Sequence, residues 1–390
     1  MKIATIALSP MPYNTPILNA LASRVDLHTI YMCKEDQINR FVDIWGDEPR
    51  YGYTFFPSKS LHSEPVDLHV QLSIGTSRRL AKLSPDVVLV VSWKPLVIEP
   101  LLWSRCSGRA AVMWSESTRF SGLFRGSLST RIRRAILANV DGFVTNGSQA
   151  SEYLRMLGVR PDRIVTSRLP ASVRDVASSV VGSTDAREGV RFLYVGRLIP
   201  QKRPVELIRA FEAVAHEVPA ATLTVVGQGE LEPEVREASA LVPRVRYIGF
   251  SEGDELASLY ADADVLVLPA LREVWGLVVN EALGHGLFVI ATDQVGSAYD
   301  LLGEESGIMV PAGDLEQLSR AMIETAKTLD LSDAARSKRA GTIADCTADR
   351  FADDIYEAAE LALRIRRTSA RRQRGLSRRH SLSSSAESNL

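Results

Sequence analysis

The chain has 390 residues, a net charge of −1, 45% hydrophobic and 24% charged residues, a profile that fits a soluble protein long enough for two domains with a core each. The charge is uneven: residues 364–390 hold eight Arg and one Glu, a net of +7, which leaves −8 for residues 1–363 and argues against nucleic acid as the partner. Three scattered cysteines, Cys33, Cys106 and Cys346, form neither a metal spacing nor a disulfide framework and suit a reducing cytoplasm, and no apolar run approaches the roughly 18 residues of a membrane span.

In chain order, residues 2–8 carry one positive charge and too short an apolar run for a signal peptide, so they read as a buried strand. A loop at 9–13 leads to an amphipathic helix at 15–24 with Ile17, Leu18, Leu21 and Ala22 inward. A second strand at 27–32 precedes residues 34–66, which are polar and aromatic without periodicity. A helix at 76–83, buried strands at 86–91 and 109–114, a basic segment at 119–138, a strand at 142–145, a helix at 147–157 and a strand at 163–166 complete the first half. This alternation predicts a doubly wound parallel sheet for residues 1–170. Residues 171–189, rich in Ser, Val, Gly and Asp, interrupt it as a linker. A second series fills 190–345, with strands at 191–195, 221–226, 245–249, 264–269 and 287–291. Its helices are expected at 204–217, 232–241, 254–261 and 315–329, with another opened by Gly276 and punctuated by Gly284 and Gly286. A helix at 346–363 and an Arg- and Ser-rich tail at 364–390, expected to be disordered, end the chain. Two such sheets leave a cleft between the carboxyl ends of their strands, where ligands bind.

The stretch Leu271-Arg-Glu-Val-Trp-Gly-Leu-Val-Val-Asn-Glu281 organises the second half. A helix that starts after Gly276 offers free N–H groups at Leu277 and Val278, a natural diphosphate site. Glu273 and Glu281 flank it. Carboxylates repel phosphate, but they can hydrogen-bond hydroxyls on the two ends of a ligand whose middle is a diphosphate, as in a nucleotide sugar. Arg197 and Lys202 stand after a strand that ends at Gly196 and before a helix, placed to neutralise the diphosphate; alone they would read as solvated loop charges. Asp262-Ala-Asp264 sits where a helix enters a strand and reads as a capping or solvated pair, so no metal is expected. His285, at a helix C-terminus, suits the helix dipole and reads as structural. Gly227-Gln-Gly229 is too short for a dinucleotide fingerprint.

Taken in order, Gly196-Arg-x4-Lys202, Val225-Val-Gly-Gln-Gly229, Tyr260-Ala-Asp-Ala-Asp-Val-Leu-Val-Leu-Pro269 and Glu273-x7-Glu281 resemble the retaining glycosyltransferases of family 4. The resemblance covers nearly all of residues 190–330, while the N-terminal half matches loosely. It implies the α/β GT-B fold: two Rossmann-like, doubly wound parallel-sheet domains facing a cleft, with the C-terminal helix packing back on the first. It implies that Arg197 and Lys202 grip the diphosphate, that Glu273 bonds the donor sugar and Glu281 the ribose, and that the backbone at 275–278 meets the phosphates. Gly227, Gln228 and Gly249 would line the base pocket, and no cofactor is implied.

The first half departs from the family pattern. Pro10-Met-Pro-Tyr13 replaces a two-glycine loop, Ser92-Trp-Lys94 and Trp114-Ser-Glu-Ser117 stand where many members place a histidine, and Gly296-Ser-Ala-Tyr-Asp300 replaces Gly-Gly-x-x-Glu. Tyr13, Trp93 and Glu116 are therefore the acceptor-side candidates. The expected activity is retaining transfer of a hexose-type residue from a nucleotide sugar to a glycan or lipid-linked acceptor. A nucleotide-sugar epimerase and a non-catalytic nucleotide-sugar-binding partner are the alternatives. Between Phe120 and Leu137, apolar residues interleave with Arg125, Arg131, Arg133 and Arg134. This segment reads either as a surface helix with its apolar face in the core or as a helix lying on an anionic membrane, with the Arg-rich tail adding attraction. The expected location is cytoplasmic and, on the second reading, peripheral on the inner face of the membrane.

Overall fold

Val87–Val91 and Phe288–Thr292 are buried at every residue, which a strand can be only where helices cover both faces of its sheet. The computed structural model describes residues 1–32, 48–56, 59–63, 68–72, 75–91, 97–121, 127–170 and 189–387, with the backbone alone for 59–63, 68–72, 127–129 and 369–387. The first sheet is built from β1 (Lys2–Ala7), β2 (Asp26–Tyr31), β3 (Gly52–Phe55), then, beyond a separate antiparallel hairpin of β4 (Lys59–Ser63) and β5 (Leu68–Leu72), from β6 (Val87–Val91), β7 (Ala110–Ser115), β8 (Gly142–Asn146) and β9 (Ile164–Ser167). Its order is β3-β2-β1-β6-β7-β8-β9 and its pairings are parallel. Around it lie α1 (Asn14–Ala22), α2 (Thr76–Leu83), α3 (Ile98–Cys106), α4 (Ser127–Leu137) and α5 (Gly147–Met156).

The second sheet contains β10 (Arg191–Val195), β11 (Thr222–Val226), β12 (Val245–Gly249), β13 (Val265–Leu268), β14 (Phe288–Thr292) and β15 (Gly307–Val310) in the order β12-β11-β10-β13-β14-β15, again parallel. It is covered by α6 (Pro204–Glu217), α7 (Glu232–Leu241), α8 (Gly253–Asp262), α9 (Leu277–Gly284), α10 (Ala298–Leu301), α11 (Leu315–Thr328) and α12 (Asp333–Gly341). The expected doubly wound architecture is present in both halves. Of residues 171–189, read as the linker, 171–188 lie outside the described residues.

Some elements were not visible in the periodicity. Helix α3 has Pro100 in its first turn and little amphipathic contrast. Helix α12 is polar almost all round and is started by the Ser332 hydroxyl, which accepts from Ala335 N at 3.2 Å, a cap that supplies what the hydrophobic pattern lacks.

The last helix, α13 (Ala348–Glu387), crosses back to the first domain. Phe351, Ala352, Ile355, Ala358, Ala359 and Ala362 are buried on one stripe. Phe351 meets Trp114 with ring centroids 4.7 Å apart, and the Ala358 carbonyl lies so close to Gly142 that a Cβ there would sit 2.8 Å from it. Small residues on both sides let helix and strand approach. Arg366 extends the seam, its Nε donating to Arg109 O at 3.0 Å. The helix runs on to Glu387 where the sequence reading stopped it at Leu363 and expected disorder beyond, because backbone hydrogen bonding can propagate a helix already anchored by its apolar stripe. No helix among the described residues is long and apolar enough to cross a membrane.

Asp264, one of the pair read as capping or solvated, is a buried anchor of the second sheet. It accepts from Arg191 N at 2.8 Å and Arg191 Nη2 at 3.0 Å, and it pairs with Arg336. A buried carboxylate between two guanidinium groups is stable only while all partners remain. Asp264→Ala, which leaves the buried Arg336 without its carboxylate, is expected to lower the unfolding free energy by about 3–5 kcal/mol in denaturant titration.

Candidate active site

The loops after β10 and β13 adjoin because those strands are neighbours, and this is where the strand order reverses. Leu271 N donates to Gln201 O at 2.8 Å and ties the loops together. The result brings Lys202 into a direct ion pair with Glu273, with the two side chains only 12% and 21% exposed. Burial, and then the neighbouring Arg197 guanidinium, presses the Lys202 ammonium down to about 8 even with that carboxylate in contact. Arg197 itself is exposed, and among the described residues no carboxylate lies within ion-pair distance of it.

Glycines hold this geometry. Gly276 takes φ +92° at the N-cap of α9, and a Cβ there would press on the Glu273 side chain at 3.1 Å. The loop is pinned from the far side as well: Glu273 N donates to Gln294 O at 2.9 Å, and Gly296 N donates to Glu273 O at 3.1 Å. A side chain at Gly296 would strike the Val274 carbonyl, so the first residue of the divergent 296–300 segment must be glycine.

These groups face a cavity of about 340 Å³ between the domains. The second domain contributes Gly196, Arg197, Lys202, Glu273, Gly276, Leu277 and Val278. Across from them stand Tyr13, Glu116 and Asn146. Trp93 lies outside the described residues. Glu116 follows β7, and burial raises its carboxyl above the usual range against a hydrogen bond from Asn146 that lowers it. Burial and the nearby Glu116 hold the Tyr13 phenol well above its ordinary value. Asn146 was not singled out from sequence, although Asn-Gly at the end of a strand was a usable signal. Trp114 Nε1 donates to Asn146 Oδ1 at 2.7 Å. An indole N–H can only donate, so the Asn146 carbonyl is fixed toward Trp114 and its amide N–H faces Glu116.

Four candidate residues do not wall this cavity: Gly227, Gln228, Gly249 and Glu281. Gly227 N donates to Gly249 O at 2.7 Å, and a Cβ on Gly227 would overlap the Gly196 carbonyl. These two glycines therefore pack the ends of β11 and β12 against the Arg197 loop, while Gln228 is exposed. Glu281, on α9, accepts from Tyr260 Oη at 2.7 Å, and burial raises its carboxyl. His285 stacks beneath Tyr260 at 5.4 Å with its plane 9° away. Burial lowers the His285 pKa and so favours its uncharged ring, stacked on Tyr260 at the end of α9.

A larger hollow of about 550 Å³ on the second domain is lined by Glu304, Glu305, Asp330, Lys338 and Arg339. Within it Glu305 pairs with Lys338, Arg339 donates to the Asp330 carbonyl oxygen, and the Asp330 carboxylate accepts from Ser332 N.

A bound anion would restore the Lys202 proton. Between about pH 8 and pH 10, nucleoside diphosphate binding is therefore expected to take up a proton and to weaken as pH rises, the free protein having lost that proton near its lowered pKa. Calorimetry in two buffers of different ionisation enthalpy reads the uptake directly. Lys202→Met should abolish it and weaken binding by about 2 kcal/mol, roughly thirtyfold.

Residues 189–328 match the family described as glycosyl transferases group 1. D-inositol 3-phosphate glycosyltransferase of Rhodococcus opacus is 30% identical over 205 residues, 48% of this chain and 46% of that protein. Sulfoquinovosyl transferase of Arabidopsis thaliana is 33% identical over 128 residues, 32% of this chain and 24% of that protein. The chain thus spans about half, or less, of the length of these curated relatives. Among solved structures, the lipopolysaccharide outer core galactosyltransferase WaaB superposes with a TM-score of 0.67 at 17% identity, covering 92% of this chain and 99% of that one. Anabaena HepE in complex with UDP superposes at 0.63 with 16% identity, covering 96% and 100%. The chain therefore carries the GT-B fold, and residues 189–328 of its second domain match the group 1 glycosyl transferases.

Proposed function

We propose that the protein transfers a sugar from a nucleoside-diphosphate sugar to a glycan or lipid-linked acceptor, with retention at the anomeric carbon. The observation that carries this reading is the convergence of Arg197, Lys202 and Glu273 beside the N-terminus of α9 in one cavity between the domains. As the glycosidic bond breaks, negative charge develops on the leaving diphosphate. Arg197, Lys202 and the free N–H groups at Leu277 and Val278 are aimed where that charge grows, and groups already in place stabilise it without reorganising. Glu273 orients the sugar through its hydroxyls, held in position by Lys202 and the Gln294 and Gly296 backbone. Glu281, aligned by Tyr260, bonds the ribose, and the Gly227–Gly249 end of the sheet receives the base. Tyr13 and Glu116 face the acceptor side. Burial makes ionisation of Glu116 less favourable than for a free carboxyl, which eases the approach of an anion to this wall.

A uridine donor is the first to test, because the similar Anabaena HepE is described in complex with UDP-glucose. A thermal-shift screen of nucleotide sugars is expected to pick out a donor that raises the melting temperature. Glu273→Gln should keep nucleoside diphosphate affinity while lowering sugar transfer by about a hundredfold. Donor consumed with no glycosylated product would favour the epimerase, and donor binding with no turnover in any acceptor mixture would favour the non-catalytic partner.

The acceptor is presented at a basic face of the first domain. In α4, Leu137 is buried and Ile136 packs on the core, but Ile132 is 53% exposed beside the exposed Arg131 and Arg134. Residues 122–126 lie outside the described residues. An exposed aliphatic side chain among arginines suits an anionic lipid surface. Replacing Arg131 and Arg134 by Glu is expected to release the protein from anionic vesicles in co-sedimentation, with no change for neutral vesicles.

A further inference from the structure

Asp300 stands on α10 of the second domain, yet its carboxylate bonds a residue of the first, Ser148. Its Oδ1 and Oδ2 accept from Ser148 N at 3.1 and 3.0 Å, and Oδ2 accepts from Ser148 Oγ at 3.0 Å. Ser148 is the second residue of α5, so the carboxylate answers one of the free N–H groups at that helix start. Gly147, at φ +77°, lies under Trp275 and Asp300, and any side chain there would collide with both. The residue before it is Asn146, which lines the cavity and bonds Glu116. Three consecutive residues of the first domain therefore serve, in turn, the catalytic cavity, the Trp275 ring and the Asp300 carboxylate. The same seam holds two more contacts: Phe120 stacks on Tyr299 with centroids 6.3 Å apart, and Asn280 Nδ2 donates to Leu169 O at 2.9 Å while its Oδ1 accepts from Trp275 Nε1.

We propose that Asp300 is a positioning residue for the reaction: by clamping Ser148 it docks the Asn146–Glu116 wall onto the charges of the second domain, and so couples closure of the domains to assembly of the site. The kinetic consequence rests on the transfer reading above, whereas the structural consequence does not. Arg197, Lys202 and the start of α9 all belong to the second domain, so they can hold a nucleoside diphosphate with the clasp released. The step that needs both walls cannot proceed at its normal rate.

The test uses Asp300→Asn, which keeps the shape but removes the charge and one acceptor oxygen. Gly147→Ala forces the same strip away from the other side. Ligand-free X-ray scattering is expected to show a larger radius of gyration for both variants than for the wild type. Calorimetric affinity for UDP should stay within about twofold. Turnover of UDP-glucose at saturation should fall by about tenfold or more, with the donor KM little moved, the signature of misplaced reacting groups. Because both changes act on one contact, the double variant should be no slower than the single ones. Wild-type scattering together with wild-type turnover in Asp300→Asn overturns the proposal. So does a parallel loss of UDP affinity and melting temperature, which would make Asp300 part of the second domain's own fold. A wild type that neither binds UDP nor consumes UDP-glucose counts against the uridine transfer reading instead, and the scattering comparison still decides the clasp.

Discussion

The cavity exists because β10 and β13 are hydrogen-bonded neighbours although β11 and β12 lie between them in the chain. At such a reversal the two following loops leave the sheet in opposite directions and cannot fill the crevice between them. Here that crevice is used for charge. The loop from β10 supplies Arg197 and Lys202, the loop from β13 supplies Glu273 and the start of α9, and the Leu271–Gln201 hydrogen bond holds the two in register. Two glycines shape it: a Cβ on Gly227 would overlap the Gly196 carbonyl, and at Gly276 the positive φ disfavours a side chain, whose Cβ would press on Glu273.

The electrostatics of the cavity follow from its burial. Lys202 sits between a carboxylate that favours its proton and a guanidinium that opposes it, in a place where desolvation already disfavours the charge. A diphosphate entering this space would meet a cation whose proton it helps to retain. On the opposite wall, burial raises the Glu116 carboxyl against the hydrogen bond from Asn146 that lowers it. Trp114 and Asn146 give that carboxyl a defined direction.

The two domains are also joined through the end of the chain. Helix α13 completes the first domain after the chain has built the second, with Phe351 on Trp114 and Arg366 on the Arg109 carbonyl. The same Trp114 donates its indole N–H to Asn146. One aromatic residue thus touches both the returning helix and the network at the cavity wall, so the packing of the chain's C-terminal part bears directly on the geometry of the site.

The doubly wound sheets, the strand at 264–269 and the helix opened by Gly276 were legible in the sequence, because buried parallel strands are continuous apolar runs and helix starts carry local marks. The places of Arg197, Lys202, Glu273 and Gly276 beside strand ends and a helix start were legible for a related reason: their spacing along the chain survives in one dimension. The extent of α13 and the existence of α12 were not, since a helix held by an anchored stripe or by a cap shows little periodicity of its own. Nor could the chain alone show that Asp264 is pinned between Arg191 and Arg336, that Lys202 meets Glu273, or that Asp300 reaches Ser148. Local pattern determines which segments become strands and helices, through burial and backbone preference. Which side chains then face one another depends on strand order and domain docking, and those are decided only when segments far apart in the chain compete for the same buried space.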